Sequence, residues 1–453
     1  MQPVSLTRDL FGTDGIRGVA GEPPLDPRTA HALGVALGKW ACEVTAADIP
    51  EVLIGMDTRE SGPWLAEQVA GGLARAGVAT RFAGVITTPG VAYLTRTRNF
   101  IAGVMISASH NPYYDNGLKV ISHSGYKLPD EVEAELEQLM AEWLASGQEA
   151  TGRRLEVNAS LDNLYTDYLA GTVSGRFPMR LAIDCANGSA AQVAPHLFPR
   201  LGADVDWLAV SPDGRNINLD CGSLHLEGLR QRVLETGANI GIAFDGDADR
   251  ALFVSSGGKV IDGDAVLFLA GSFLKSAGRL TGDLLVATVM SNLGLEKALE
   301  SHGIEMLRTP VGDKYVLEEM LRRNAVLGGE QSGHVIFSEY ATTGDGLLTA
   351  LRVLEIVRDS GRTLDDLADA MKRFPQKLVN VKVKHKRPLA ELASVQAEIQ
   401  AAEVEFGGSG RIVVRFSGTE PLARVMIEAE SDEAVERWTG RIADAIRLEL
   451  GAA

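Results

Sequence analysis

The chain has 453 residues, 45% of them hydrophobic and 23% charged, and its formal net charge is -16. This length exceeds that of one ordinary domain, and the composition is typical of a globular protein with a substantial core. The acidic balance argues against partners such as nucleic acid or an anionic membrane, because both bind to a basic face.

The three cysteines, Cys42, Cys185 and Cys221, lie far apart and form no Cys-x-x-Cys pair. This pattern predicts neither a disulfide framework nor a zinc site, and it fits a reducing compartment. Residues 1–9 lack the apolar segment of a secretion signal, and no apolar stretch approaches the roughly 18 residues of a membrane span. We therefore expect a cytoplasmic protein.

Three short apolar runs each pass into small polar residues and then into a helical pattern, at residues 52–58, 181–187 and 285–292. Near-continuous apolar runs are typical of buried parallel strands, and the loops that follow such strands commonly bind ligands. The pattern predicts three repeated α/β domains with mixed sheets. Amphipathic helices are expected over three segments, residues 130–144, 295–302 and 314–323.

The pattern changes near residue 375. Strand-like segments follow at 378–384, 411–416 and 424–429, with helical stretches at 389–402 and 432–448. This order predicts a smaller α+β domain. Polar breaks between the units place the four domains at residues 1–154, 155–256, 257–374 and 375–453.

Residues 11–18 form a loop of small residues with one cation, Arg17. This arginine could steady an anionic group on another loop, or it could form a structural salt bridge with Asp14, and the sequence supports both interpretations.

A second polar loop, residues 107–112 (the serine loop), follows an apolar run and contains Ser109 and His110. A serine hydroxyl is a weak nucleophile unless a base or a cation assists it, and His110 and Lys119 are close in sequence. The loop predicts a nucleophilic serine. The alternative is an ordinary turn, because Ser, Asn and Pro favour turns.

Three aspartates alternate in the loop at residues 245–250 (the aspartate loop), namely Asp245, Asp247 and Asp249. Carboxylates without nearby His or Cys favour a hard cation such as Mg²⁺. An EF-hand would require Glu at the twelfth position, where this chain has Ser256. The remaining alternative is a solvated acidic turn.

Two further loops carry groups suited to a phosphosugar. Residues 328–334 (the glycine loop) display Glu330, Ser332 and His334, which suit sugar hydroxyls or could form a solvated hairpin turn. Residues 415–421 (the arginine loop) combine Arg415 with hydroxyl groups and backbone N–H groups. That combination suits a phosphate, although a strand-ending turn is the alternative.

Taken together and in this order, the five loops resemble those of the α-D-phosphohexomutases, most closely the bacterial phosphoglucosamine mutase branch. The resemblance implies four domains around a central cleft and a homodimer. This chain departs from the branch at Ala248, where glycine is common, and at Lys314, where arginine is usual. Neither departure removes the serine or an aspartate.

The resemblance also implies roles for the loop residues. Ser109 would carry a phosphoryl group and, with the three aspartates, hold one Mg²⁺ per active site. Lys119 would be a general acid or base, Arg250 would stabilise charge, and His334 would share the acid–base role or bind phosphate. The implied substrate-binding residues are Arg17, His110, Glu330, Ser332, Arg415, Ser417, Gly418 and Thr419.

The implied reaction interconverts glucosamine 6-phosphate and glucosamine 1-phosphate, supplying UDP-N-acetylglucosamine synthesis. It passes through a sugar 1,6-bisphosphate, which also acts as a primer. One alternative is a phosphoglucomutase or phosphomannomutase of the same family. A more distant one is a non-catalytic phosphosugar sensor, which would need neither the serine nor the aspartates.

Overall fold

The computed structural model describes residues 10–12, 14–45, 47, 49–417 and 421–451. These residues fall into two compact units. The larger unit comprises the residues up to 289 together with 307–368, and the smaller comprises 290–306 together with the residues from 369 onward.

The first α/β repeat is built on a five-stranded sheet in the order β1-β5-β4-β2-β3. Strands β3, β2 and β4 run parallel, and β5 and β1 are antiparallel to their neighbours. The elements in chain order are β1 (Ile16–Val19), α1 (Pro27–Val44), β2 (Glu51–Met56), α2 (Gly62–Arg75), β3 (Ala79–Val85), α3 (Thr88–Thr97), β4 (Ala102–Ile106), β5 (Asp115–Ser122) and α4 (Asp130–Ala145).

The second repeat has the same arrangement, with sheet order β10-β9-β8-β6-β7 and antiparallel strands β9 and β10 at one edge. Its β8 is buried at every position, as a central strand between covered faces requires. The elements are α5 (Ser160–Gly171), β6 (Arg180–Asp184), α6 (Ala190–Arg200), β7 (Asp204–Leu208), α7 (Glu227–Thr236), β8 (Ile240–Phe244), β9 (Ala251–Ser255) and β10 (Val260–Ile261).

The third repeat keeps the pattern in a four-stranded sheet of order β12-β11-β13-β14. Strand β13 is parallel to β11 and antiparallel to β14. The elements are α8 (Gly263–Ser276), β11 (Leu284–Thr288), α9 (Leu293–Ser301), β12 (Glu305–Thr309), α10 (Asp313–Arg323), β13 (Leu327–Gly329), β14 (Val335–Phe337), α11 (Gly346–Ser360) and α12 (Leu364–Ala368).

The C-terminal part of the chain forms a three-stranded antiparallel sheet, β15-β17-β16, that shares one core with two helices. The elements are β15 (Gln376–Lys382), α13 (Ala393–Phe406), β16 (Gly410–Phe416), β17 (Leu422–Ala429) and α14 (Asp432–Leu450). The fold class predicted from the sequence, three α/β repeats followed by a smaller α+β domain, is therefore confirmed. The domain boundaries at residues 154, 256 and 374 stay predictions.

One predicted helix was too long at its start. The sequence favours a helix over residues 389–402, but α13 begins at Ala393, after a short 3₁₀ turn at 389–391 and an extended Leu392. The first turn is fixed by α14, because the Ser394 N–H donates to a Glu449 carboxylate oxygen at 2.9 Å. A tertiary contact thus takes up one of the N–H groups that a helix start leaves unpaired.

Among the described residues, no helix is long and apolar enough to cross a bilayer.

Helices α1 and α2 approach each other closely enough for backbone contact. A Cβ built on Gly72 would lie 2.2 Å from the His31 carbonyl oxygen, and one on Gly34 would lie 2.1 Å from the Val69 carbonyl oxygen. Both glycines are buried, so the helices cannot separate without opening a cavity.

We predict that Gly72→Ala lowers the free energy of unfolding by about 1–3 kcal/mol, because the added methyl overpacks this contact. Gly440→Ala in α14 is the matched control, since a Cβ there meets no heavy atom within 4 Å. The control should be neutral or stabilising by up to about 1 kcal/mol, the helix-propensity gain. Denaturant titration followed by circular dichroism measures both; equal effects of the two substitutions would contradict the contact.

Candidate active site

Ser109 lies where β4 gives way to the serine loop, and it is buried. Its φ of 52° lies in the left-handed region, which non-glycine residues seldom adopt. The Ser109 N–H donates to the Ser107 Oγ at 2.9 Å, and the Ser109 Oγ donates to an Asp245 carboxylate oxygen at 2.6 Å. The predicted nucleophile therefore meets the predicted metal loop, although 136 positions separate the two residues in sequence.

The aspartate loop follows β8 and gathers its three carboxylates in one buried place. One oxygen from each of Asp245, Asp247 and Asp249 lies within 4.8 Å of the other two. Burial and the neighbouring negative charges raise the pKa of Asp245 well above its usual value. Three carboxylates so close together repel one another unless cations compensate them.

Two of these carboxylates each keep one oxygen without a hydrogen-bond partner in the described part of the chain: Asp247 Oδ1 and Asp249 Oδ1. The other oxygen of Asp247 accepts from Thr88 Oγ1 at 2.6 Å and from Lys119 Nζ at 2.8 Å. Buried orphan oxygens from a set made only of carboxylates are what a hard divalent cation requires. The residues therefore fit the Mg²⁺ predicted from the sequence.

The tight approach of the serine and aspartate loops depends on Gly246, because a Cβ at that position would lie 2.5 Å from the Ser109 carbonyl oxygen. Ala248 has a φ of 56°. Glycine adopts this backbone conformation without the steric cost that alanine bears, which gives a physical reason for the glycine common at this position in the branch.

Lys119 projects from β5 and is buried between two carboxylates. Its Nζ lies 2.8 Å from Asp247 and 3.1 Å from Asp14. Burial by itself would lower the pKa of Lys119, but Asp14 and Asp247 raise it above its usual value. The lysine is therefore held as an ammonium group beside Asp247, where it can stabilise negative charge.

Negative and positive side chains alternate from Asp247 through Lys119 to Asp14, and this alternation continues beyond Asp14. Lys127 Nζ lies 2.7 Å from Asp14 and 2.7 Å from Asp313 at the start of α10. Burial would raise the pKa of Asp14, but Lys119, Lys127 and Arg17 hold it well below its usual value. Asp14 thus stays ionised and links the aspartate loop to the third repeat.

Arg17 lies on β1 and pairs with Asp14, the salt bridge that the sequence left as one of two interpretations. Burial lowers the pKa of His110, and the positive charges of Arg250 and Arg17 lower it further, to about 4. His110 Nδ1 lies 3.4 Å from the Ser109 Oγ. At neutral pH this histidine is uncharged.

Arg250 ends the aspartate loop. Its backbone N–H donates to Asp245 at 3.2 Å, and its Nε lies 3.7 Å from Asp249. Burial would lower the pKa of Arg250, but the three aspartates and Glu330 raise it. The arginine supplies positive charge between the aspartate loop and the glycine loop.

The glycine loop joins β13 to β14 and packs on the aspartate loop. The Ala251 N–H donates to the Gly333 carbonyl at 3.1 Å, and His334 Nδ1 lies 3.5 Å from Asp249. Burial would lower the pKa of His334, but Asp249, Asp313 and Glu330 raise it to about 9. The Gly344 N–H donates to His334 Nε2 at 3.0 Å. Because Nε2 accepts this hydrogen bond, it does not carry a proton itself. We therefore assign the proton facing Asp249 to Nδ1.

The other predicted sugar-binding residues lie on the same loop. A Glu330 carboxylate oxygen accepts from the Gly312 N–H at 3.1 Å. The Ser332 Oγ is buried and lacks a hydrogen-bond partner within the described ranges. Lys314, the departure noted from the sequence, pairs with Asp130 at the start of α4.

The arginine loop belongs to the smaller unit. Arg415, the last residue but one of β16, is opposite Arg424 of β17 in the strand register. Ser417 is buried, and its N–H donates to the Leu422 carbonyl at 2.8 Å. The predicted ligands Gly418 and Thr419 lie outside the described residues.

Sequence reasoning missed several residues of this site. Thr88, the first residue of α3, binds Asp247 with both its N–H, at 3.0 Å to the carbonyl, and its hydroxyl. Lys127 and Asp313 extend the charge alternation. Thr88 follows β3 as the serine loop follows β4, so its place after a strand was the available signal. The partners of Lys127 gave no signal, because they are distant in sequence.

Comparison with known proteins agrees with this geometry. Four models of the phosphoglucomutase/phosphomannomutase family match: α/β/α domain I at residues 8–146, domain II at 161–258, domain III at 262–374 and the C-terminal domain at 378–445. A phosphoglucosamine mutase from Solibacter usitatus is 59% identical over 98% of this chain and 100% of its own length.

Solved structures show the same fold. A phosphoglucomutase/phosphomannomutase family protein from Burkholderia thailandensis is 25% identical, with a TM-score of 0.80, over 98% of this chain and 99% of its own. An N-acetylphosphoglucosamine mutase from Aspergillus fumigatus, in complex with GlcNAc-6P and magnesium, is 19% identical, with a TM-score of 0.63, over 97% and 95% of the two chains. The chain belongs to the phosphoglucomutase/phosphomannomutase family.

Proposed function

We propose that the chain interconverts glucosamine 6-phosphate and glucosamine 1-phosphate through a phosphoserine at position 109. The observation that carries this proposal is the buried Ser109 Oγ, 2.6 Å from an aspartate of a carboxylate triad in which two oxygens accept no hydrogen bond from the described residues. A phosphosugar sensor would have no use for a hydroxyl held against a metal site. An enzyme that carries a phosphoryl group on a serine needs both the hydroxyl and the metal site.

Bound at the aspartate loop, Mg²⁺ would supply positive charge for the phosphoryl oxygens. Transfer of a phosphoryl group depends mainly on positioning and electrostatic stabilisation. Arg250 would add charge from the end of the same loop, and Arg17 and His110 would contact the phosphate on Ser109. Lys119 is ammonium at neutral pH and would give a proton to the departing Ser109 oxygen or stabilise it. His334 would share the acid–base role or bind substrate phosphate.

Both ends of the sugar must visit Ser109 in turn. Glu330 and Ser332 would hold sugar hydroxyls, and the unpartnered Ser332 hydroxyl supports that role. Arg415, Ser417, Gly418 and Thr419 would bind the distal phosphate, because a guanidinium, hydroxyl groups and backbone N–H groups together suit an anion. The bisphosphate formed midway would turn over before the return transfer, and added sugar 1,6-bisphosphate would prime unphosphorylated enzyme.

The preference for glucosamine rests on the names of the curated relatives, so phosphoglucomutase or phosphomannomutase activity is the second candidate. The homodimer, the cytoplasmic location and the supply of UDP-N-acetylglucosamine synthesis stay proposals.

The first test compares substrates. Purified protein with Mg²⁺ and a 1,6-bisphosphate primer should convert glucosamine 6-phosphate with a higher kcat/KM than glucose or mannose 6-phosphate. Peptide mass spectrometry should find phosphate on Ser109, and Ser109→Ala should lose both the phosphate and the turnover. A preference for glucose or mannose would select the second candidate, and turnover by Ser109→Ala would remove Ser109 as the carrier.

The metal assignment predicts that Asp247→Asn weakens Mg²⁺ binding, because the amide keeps the shape but removes one of three gathered charges. Calorimetric titration of the protein with Mg²⁺ measures this without reference to turnover. Asp184→Asn is the matched control: Asp184 is a buried carboxylate of the same repeat that accepts from the N–H groups of Ala186 and Gly222. Equal Mg²⁺ affinities for the two variants would exclude Asp247 as a ligand.

Lys119→Met should lower kcat by roughly 10²- to 10⁴-fold, the usual loss for a general acid, with a smaller change in KM. Steady-state kinetics with primer separates the two constants. A raised KM with wild-type kcat would instead identify Lys119 as a uniform binding contact. Lys297→Met, at an exposed ion pair with Glu300, is the control and should match wild type.

A further inference from the structure

A buried arginine lies directly behind the serine loop. Arg59 follows β2 by three residues, and its side chain and that of its partner Asp57 have no exposed surface. Because neither side chain reaches solvent, neither contacts a substrate. Their only route to the chemistry is through the loop they bind.

All five N–H groups of the Arg59 guanidinium point at acceptors. Nε donates to Asp57 at 2.8 Å, and the other four donate to backbone carbonyls of the segment that carries the serine. Two of these bonds, at 2.9 Å each, reach the carbonyls of Ser109 and Asn111, and the others reach those of Asp115, at 2.9 Å, and Pro112. An arginine has five such donors, so its capacity is fully used here.

Asp57 reaches the same serine from its other side. Its Oδ2 accepts from the Ser107 Oγ at 2.7 Å, and that Oγ accepts from the Ser109 N–H at 2.9 Å. The peptide groups on both sides of Ser109 are thus fixed by one ion pair. Asn218 of the second repeat adds a donor to the Ser109 carbonyl at 2.9 Å.

These hydrogen bonds stabilise an unfavourable backbone conformation at Ser109. Ser109 has a φ of 52°, a left-handed conformation that is sterically unfavourable for a residue with a Cβ. Four backbone carbonyls that converge on one point also repel each other without a donor between them. A loop left to itself would relax to ordinary φ values and move the Ser109 Oγ away from Asp245.

We infer that the Arg59–Asp57 ion pair is the positioning device of the phosphoryl carrier: it holds Ser109 in the left-handed conformation that aims its Oγ at the aspartate loop. This inference rests on the proposed role of Ser109. Arg59 and Asp57 are positioning residues, and their loss slows phosphoryl transfer in both directions without removing a group that binds the sugar.

The test uses the full chain loaded with phosphate on Ser109 by the 1,6-bisphosphate primer. Rapid quench with glucosamine 6-phosphate then measures the single-turnover rate at which phosphate leaves Ser109. Arg59→Met should lower this rate by roughly 10²-fold, the order of loss expected for a misplacement of about 1 Å. KM should stay near wild type. Arg59→Lys should fall between the two, because one ammonium replaces only some of the five bonds.

The matched control is Arg352→Met. Arg352 is also a buried arginine, 7% exposed, and it donates to the Thr172 carbonyl at 2.7 Å and pairs with Glu355 at 2.8 Å. This control should lower the unfolding midpoint and leave the transfer rate of the folded enzyme unchanged. If Arg59→Met does not fold, Ser107→Ala removes the second half of the brace alone and should slow transfer at least tenfold.

The inference would be overturned if Arg59→Lys and Ser107→Ala both transferred phosphate at the wild-type rate. It would also be overturned if Arg59→Met slowed transfer no more than Arg352→Met does. Failure of the proposed function is a separate result: the wild-type protein itself would then carry no transferable phosphate on Ser109.

Discussion

The structure depends on one electrostatic constraint, the burial of three aspartates within hydrogen-bonding range of a single point. Carboxylates in that arrangement repel each other and lose their hydration, so the site exists only if positive charge surrounds it. The chain supplies that charge through Lys119, Arg250 and the N-terminus of α3, where Thr88 donates to Asp247. Asp247 Oδ1 and Asp249 Oδ1 accept no hydrogen bond from any described residue.

The compensating charges come from different α/β repeats, so the site also ties these repeats together. From Asp247 the charges alternate through Lys119, Asp14 and Lys127 to Asp313. The three inner members, Lys119, Asp14 and Lys127, each have at least two partners of opposite sign. Substitutions of these charged residues will therefore have non-additive effects on the free energy of unfolding, because removing one charge leaves its neighbours buried and uncompensated.

Close approach is the second requirement, and it explains the unusual backbone at the site. Gly246 allows the aspartate loop to contact the carbonyl of Ser109. Ser109 and Ala248 adopt left-handed backbone conformations, which residues with a Cβ seldom adopt. Strain of this kind persists when the surroundings over-determine it. At Ser109 the surroundings are the five bonds of Arg59 and the Asp57–Ser107 link.

The sequence by itself determined the strand–loop–helix repeats, the serine, aspartate, glycine and arginine loops, and the α+β end of the chain. It could do so because hydrophobic period, turn residues and charge spacing act between near neighbours in the chain. Only the tertiary structure decided that Arg17 pairs with Asp14, that Lys119 is held as an ammonium group, and that Arg59 braces a serine 50 positions away. These outcomes depend on distances between loops of different repeats, and such distances are set by how the sheets and helices pack rather than by any local pattern.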